Sequence, residues 1–305
     1  MGGIIVLIAA LGFSLDSIFV RKGLIEENSG NVWDIRFISS LTTFILFVIG
    51  IFIAILFGFD LAEEFKLITF PAVLLLIMAG ILGPLIGSLL MSMSIGQIGA
   101  SQASALWGGS NPFFAALLAY FFLGEKPGLI GLFSILLIVI GITVIGYHRY
   151  EGTAMLLKKT KLAGGFIALL SGLSFSLSQV SRGAALKMGA TPNTAFLVFF
   201  FTTAFLLLII TYFKNKGNLK RITSINRKSL YCYIFSGISV LVGAYGLLTA
   251  FTLIPVWQAI AIRNIQPLIV IILSWFFLKQ VDRINLRLIL GAFLVTVGVV
   301  ILNIY

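Results

Sequence analysis

The chain has 305 residues, of which 60% are hydrophobic and only 10% charged, with a mean hydropathy of +1.13. Soluble domains sit near about 45–50% apolar and about 25% charged, so this composition excludes an ordinary soluble globule and points to a membrane protein. The formal charge of +11 does not imply nucleic acid, because Lys and Arg gather in short connectors between apolar runs, as membrane orientation signals do.

Taken in chain order, the first apolar run follows Met1-Gly2-Gly3 directly, without a basic n-region, and is expected to be a retained span. A span needs about 20 largely apolar residues. Runs of this kind cover 3–20, 35–58, 68–92, 98–123 and 128–147, then 162–181, 193–213, 229–252, 256–278 and 285–304. Continuous apolar runs argue against the alternating strands of a barrel. A single cysteine, Cys232, excludes an intrachain disulfide and a cysteine metal cluster, and the one histidine, His148, cannot supply two metal ligands. Neither a metal nor a cofactor is expected.

The second half repeats the first. Asn111-Pro112 and Phe121-Phe122-Leu123 recur as Gln266-Pro267 and Phe276-Phe277-Leu278 at one offset, since 266 − 111 = 155 and 276 − 121 = 155. Gly2-Gly3 and Phe13-Ser14-Leu15 recur as Gly164-Gly165 and Phe175-Ser176-Leu177, with 175 − 13 = 162. The units run over 1–150 and 160–305, five spans each. Five crossings leave the chain on the far side, so the second unit must insert upside down. The expected fold is an all-α integral membrane protein, with ten transmembrane helices as two inverted five-helix repeats around a central cavity.

The segments "SNPFFAALLAYFFLGE" (110–125), "FSLDSIFVRKGL" (13–24), "IRF" (35–37) and "GAFLVTVGVVIL" (291–302) resemble the drug/metabolite transporter superfamily, in particular its EamA-type members. Lys279-Gln280 departs from the Gly-Glu of the first half. The resemblance implies a ten-span carrier of small metabolites with both termini inside. The charges imply the reverse: loops after odd-numbered spans carry fifteen Lys and Arg against four after even-numbered spans. By the positive-inside rule the richer side is cytoplasmic, and the expectation followed here places both termini outside the cell (plasma or inner) membrane.

Charges within spans are costly, so each is a functional candidate with a partner to be named. Asp16 near the end of the first span and Arg36 near the start of the second can meet across a helical hairpin. Two roles stay open for Asp16: a structural ion pair, or a site for proton coupling or a substrate amine. Arg182 reads as a snorkelling end residue. Arg263 follows the start of its span by seven residues, which puts it about 10 Å into a core about 30 Å thick, with no carboxylate clearly at its depth.

Pro267 has no N–H for the carbonyl of Arg263, and Pro112 likewise frees that of Gly108; 263 − 108 = 155, the repeat offset. The two prolines are therefore expected to be paired helix kinks exposing acceptors that only protein or a wet cavity can satisfy. Around them stand the substrate-binding candidates Arg263, Asn264, Gln266, Asn111, Trp107 and Gln179. A guanidinium suits bidentate carboxylate recognition. Trp257, at the start of a span, reads as an interface anchor. No HExxH, Walker loop or nucleophile with a credible base is present, which weighs against an intramembrane enzyme. A non-transporting scaffold would leave the matched prolines unexplained. The expected function is a secondary transporter for a small organic metabolite, an amino acid or similar carboxylate-bearing amphiphile, working by alternating access with lipid and substrate as its partners.

Overall fold

The computed structural model describes residues 1–27, 32–98, 100–147, 158–214, 225–278 and 286–304, and every regular element among them is a helix. The first half holds α1 (Gly2–Glu27), α2 (Val32–Leu56), a short helix α3 (Leu61–Leu67), then α4 (Phe70–Gly80), a π-helical turn (Ile81–Gly87) and α5 (Ser88–Ile98) in one stretch. It closes with α6 (Ala100–Leu123) and α7 (Leu129–Tyr147). The second half holds α8 (Lys158–Lys187), α9 (Pro192–Lys214), α10 (Arg227–Ala250), α11 (Val256–Arg263), α12 (Gln266–Leu278) and α13 (Leu286–Ile304).

Seven helices among the described residues are long and apolar enough to cross a membrane: those in α1, α2, the α4–α5 stretch, α6, α8, α9 and α10. Phe121, Phe122, Phe166 and Phe213 lie exposed on the outer surface, where a hydrocarbon environment suits them. α1 and α8 extend beyond their apolar runs, where Lys22 and Glu26 of α1 and Lys187 of α8 lie exposed.

The halves embrace reciprocally. α1 packs along α10 and against α11 and α12, while α8 packs along the α4–α5 stretch and α6. α7 pairs with α13 and α2 with α9. With α3 set aside and α4–α5 and α11–α12 counted as one stretch each, first-on-eighth is answered by sixth-on-third, and fifth meets tenth.

Two glycine contacts make these crossings close. A Cβ on Gly12 would sit 2.8 Å from the Gly243 nitrogen and 2.8 Å from the Ser239 carbonyl oxygen, both on α10. In the α7–α13 pair, a Cβ on Gly298 would meet the Ser134 carbonyl oxygen at 2.9 Å. Without hydrophobic contrast against lipid, such backbone proximity is what drives helices together.

The π-helical turn follows from Pro84, which cannot donate to the Gly80 carbonyl. α8 repairs the interruption with a stripe of serines at helical spacing. Ser171 donates to the Gly87 carbonyl at 2.7 Å, Ser174 to Leu82 at 2.6 Å and Ser178 to Ala79 at 2.8 Å. Thr203 of α9 reaches the Gly80 oxygen at 3.4 Å. α8 is thereby fixed in both height and rotation.

Gly12→Ala places its methyl against rigid backbone and is expected to destabilise the detergent-purified protein by about 1–3 kcal/mol, as overpacking typically does. Gly50→Ala is the control, since nothing lies within 4 Å of its Cβ position. Thermal unfolding of both variants checks the contact; equal melting temperatures would show that α1 and α10 are not tightly apposed.

Candidate functional site

α8 presents different residues to different neighbours. The serine stripe holds the π-helical turn. Gly172 and Ser176 face α6, where the Asn111 amide donates to the Gly172 carbonyl at 3.3 Å and to Ser176 Oγ at 3.0 Å. Ser176 in turn donates to the Asn111 carbonyl at 2.9 Å. Phe175, Gln179 and Arg182 recur at i, i+4 and i+7, which places them on one face.

α11 is anchored at its start. Glu125, just beyond α6, accepts the Val256 N–H at 2.8 Å and pairs with Lys187 at 3.0 Å, and Lys187 also donates to the Leu123 carbonyl. Val256 packs on Gly183, where an added Cβ would collide with it. Seven residues on, Arg263 lies about 10 Å deeper, at the level of residues near 176 on the oppositely running α8.

Arg263 is only 6% exposed and turns into the protein, not toward lipid. Its guanidinium carbon stands 5.1 Å from the centroid of the Phe13 ring on α1 and 5.8 Å from that of Trp107 on α6. Trp107 meets Phe175 of α8 edge-on at 5.6 Å. Residues from both halves thus converge on one seam. Several polar atoms there have no hydrogen-bond partner: Arg263 Nε, Trp107 Nε1, Asn111 Oδ1, and both Gln179 Oε1 and Nε2. Gln179 is itself 1% exposed. Buried orphans are rare in proteins and each calls for an explanation.

The other candidates are engaged locally. The chain breaks at Asn264-Ile265, where Asn264 N–H bonds Ala261 and Ile265 N–H bonds Ile262, tightening the last turn. The Asn264 side chain donates to the Ile260 carbonyl at 2.8 Å. The Gln266 side chain donates to the Phe13 carbonyl at 3.3 Å, and Ser14 donates back to the Gln266 carbonyl at 3.3 Å. These bonds hold the break against α1. The two prolines differ: the helix separates into α11 and α12 just before Pro267, whereas α6 runs uninterrupted through Pro112.

Asp16 and Arg36 form an ion pair at 3.2 Å, with side chains 10% and 40% exposed. Ser236 of α10 donates to the second Asp16 oxygen at 2.5 Å and shares a hydrogen bond with Ser39 of α2. Both carboxylate oxygens are therefore occupied, and neither turns to Arg263.

Two expectations are corrected. Arg182 does not snorkel: it is 6% exposed, donates through Nε to the Ser178 carbonyl at 3.4 Å, and lies 4.7 Å from the Phe199 ring centroid. Trp257 is no interface anchor, being 3% exposed and packed at Gly131. The signal for Arg182 was its spacing from Gln179 and Phe175; what hid it was α9, whose cover no local pattern announces. Lys279-Gln280 and His148 lie outside the described residues. Two surface concavities of about 620 Å³ each, one against α3 and one between α4 and α9, lie away from the seam and are lined mainly by apolar residues suited to lipid.

Long apolar helices and a protein-covered cationic seam define an integral, multi-pass membrane protein. The family model described as "EamA-like transporter family" matches residues 1–147 and again 162–304, and the chain belongs to that family, in its two-repeat form. A solved structure titled "Crystal structure of protein" shares the fold at 15% identity, with a TM-score of 0.69, covering 97% of this chain and 96% of its own. No curated protein matches.

The ion pair yields an asymmetric expectation. Arg36→Ala strands a buried carboxylate and should cost more stability than Asp16→Asn, which keeps the Ser236 contact and leaves a half-exposed guanidinium to solvent. Combining the two should recover most of the Arg36→Ala loss. A double-mutant cycle on thermal unfolding measures this; additive losses would mean the pair is not coupled.

Proposed function

We propose that the chain is a secondary transporter whose two inverted five-helix units rock about the seam and carry a small carboxylate-bearing metabolite, an amino acid or similar amphiphile, by alternating access. In this reading α7, the α11–α12 pair and α13 join the seven long helices to make ten crossings. Support comes from the reciprocal packing of the halves and from the interruption at Asn264-Ile265, since broken helices at a repeat interface form substrate sites in carriers. Membership of a transporter family favours transport over the enzyme and scaffold alternatives.

The observation that carries the site assignment is Arg263. Its charge is buried where the halves meet, its Nε has no partner, and Trp107 and Phe13 flank it as aromatic walls. A guanidinium so placed offers a carboxylate two parallel N–H donors. Asp16 acts in this reading as a structural pair rather than as a proton carrier. The loop charges favour both termini on the outer side, which a terminal reporter in intact cells tests.

In proteoliposomes loaded for exchange, labelled leucine, glutamate and succinate form the first uptake panel. At least one is expected to enter saturably. Arg263→Lys, which keeps the charge but loses the fork, should lower its uptake about tenfold or more, as loss of one charge-assisted bond implies. Non-saturating flux, or full activity in the lysine variant, contradicts the assignment.

A further inference from the structure

This inference rests on the carrier reading and specifies the charge of its cargo. We infer that the seam binds an organic dianion, two acidic groups on one short chain, with Arg263 holding one group and Arg182 the other.

Arg182 and Arg263 are each 6% exposed, and they lie within electrostatic reach of one another. Among the described residues, neither has a carboxylate within ion-pair distance. Asp16 is taken by Arg36 and Ser236, and Glu125 by Lys187 and the Val256 N–H. Glu64 accepts from Thr191 and Asn193 at the start of α9. Arg263 has the rings of Phe13 and Trp107 beside it, and Arg182 has the Phe199 ring and one long bond to the Ser178 carbonyl. A cation–π contact offsets only a fraction of what it costs to take an ion out of water. Two buried cations without a counter-ion are stabilised most by anionic charge arriving with the cargo.

Geometry sets the length. Val256 packs at the height of Gly183, so the α-carbons of Arg182 and Arg263 differ in depth by about 9 Å, six residues of helix rise. Arg182 bends back along α8 to the Ser178 carbonyl, which shortens that difference in height, and a four- to six-carbon diacid is the length we assign to bridge it. Gln179 stands between them, one turn from Arg182, with both amide atoms unpartnered. It supplies a neutral donor and acceptor for the middle of such a molecule. Trp107 Nε1 is a further free donor on the Arg263 side.

The same balance narrows the cargo proposed above. A zwitterionic amino acid would bring an ammonium into a site with two guanidiniums and no available acid. A diacid brings two negative groups and no cation.

Competition against labelled succinate in proteoliposomes tests this, with unlabelled succinate, glutarate and adipate compared with succinamate, which replaces one carboxylate by an amide, and with aspartate, which adds an ammonium. Wild type should prefer the best diacid over succinamate and over aspartate by at least tenfold. Arg182→Gln should lose that preference while succinamate competition stays within about twofold; Arg182→Lys should keep part of it, and Arg263→Gln should weaken every ligand. The wild-type comparison stands even if a variant fails to fold. Equal competition by diacid and succinamate, or preference for aspartate, overturns the dianion assignment, and the carrier reading survives if Arg263→Gln still abolishes uptake. Should no ligand of the panel compete, and labelled succinate fail to enter saturably, the dianion assignment falls; indifference of leucine and glutamate uptake to Arg263→Gln would then take the Arg263 site with it.

Discussion

Within hydrocarbon, a backbone or side-chain polar group without a partner costs several kcal/mol, so every irregularity in a spanning helix must be answered by a neighbour. This constraint organises the molecule around α8. Pro84 opens a π-helical turn, and Ser171, Ser174 and Ser178 close the account by donating to Gly87, Leu82 and Ala79. Once those bonds fix the rotation of α8, its adjacent face carries Phe175, Gln179 and Arg182 inward. The break at Asn264-Ile265 is answered similarly from α1, through the bonds between Gln266 and Phe13 and between Ser14 and Gln266. Interruptions satisfied by the opposite half hold the halves in register. The groups left unsatisfied, above all Arg263 Nε and Gln179, are the ones the proposed carrier reading assigns to the cargo.

The repeats correspond in packing but not in chemistry. α1 and α8 occupy equivalent places, yet one offers Asp16 and the other Ser178 at the matching position. Asp16 binds sideways to α2 and α10, and Ser178 binds the backbone of α4. Likewise Pro112 sits inside a continuous helix while Pro267 follows a break. The charged seam is thus built mostly from the second half, by α8 and α11, with α1 and α6 contributing aromatic walls. In the proposed carrier, a scaffold of twofold character holding an asymmetric site would give the cargo a defined orientation.

Much of this was legible in the sequence. Apolar length gave the helical stretches, because hydrocarbon thickness dictates how long a run must be. Pro267 announced the break beside Arg263, since a missing N–H has a definite address four residues upstream. The pairing of Asp16 with Arg36 followed from their similar depth on a hairpin. What failed to show was whatever depends on a third helix. Arg182 lies five residues from the end of α8 and reads as able to reach water, but α9 and Phe199 cover it. Trp257 starts α11 as an anchor would, yet Glu125 and Lys187 draw that start inward. Pro84 was visible as a residue, but its apolar neighbours gave no hint that serines of α8, about ninety positions away, would be its partners.

α8 and α11 each bury a guanidinium that has no counter-ion among the described residues. Ligand-induced stabilisation of the purified protein probes this most directly, because a ligand that binds only the folded state must raise its melting temperature in a saturable way. Small organic anions are expected to raise it, with no comparable effect from neutral or cationic molecules of the same carbon skeleton. Equal stabilisation by the cationic analogues, or none by any anion at millimolar concentration, would contradict the account.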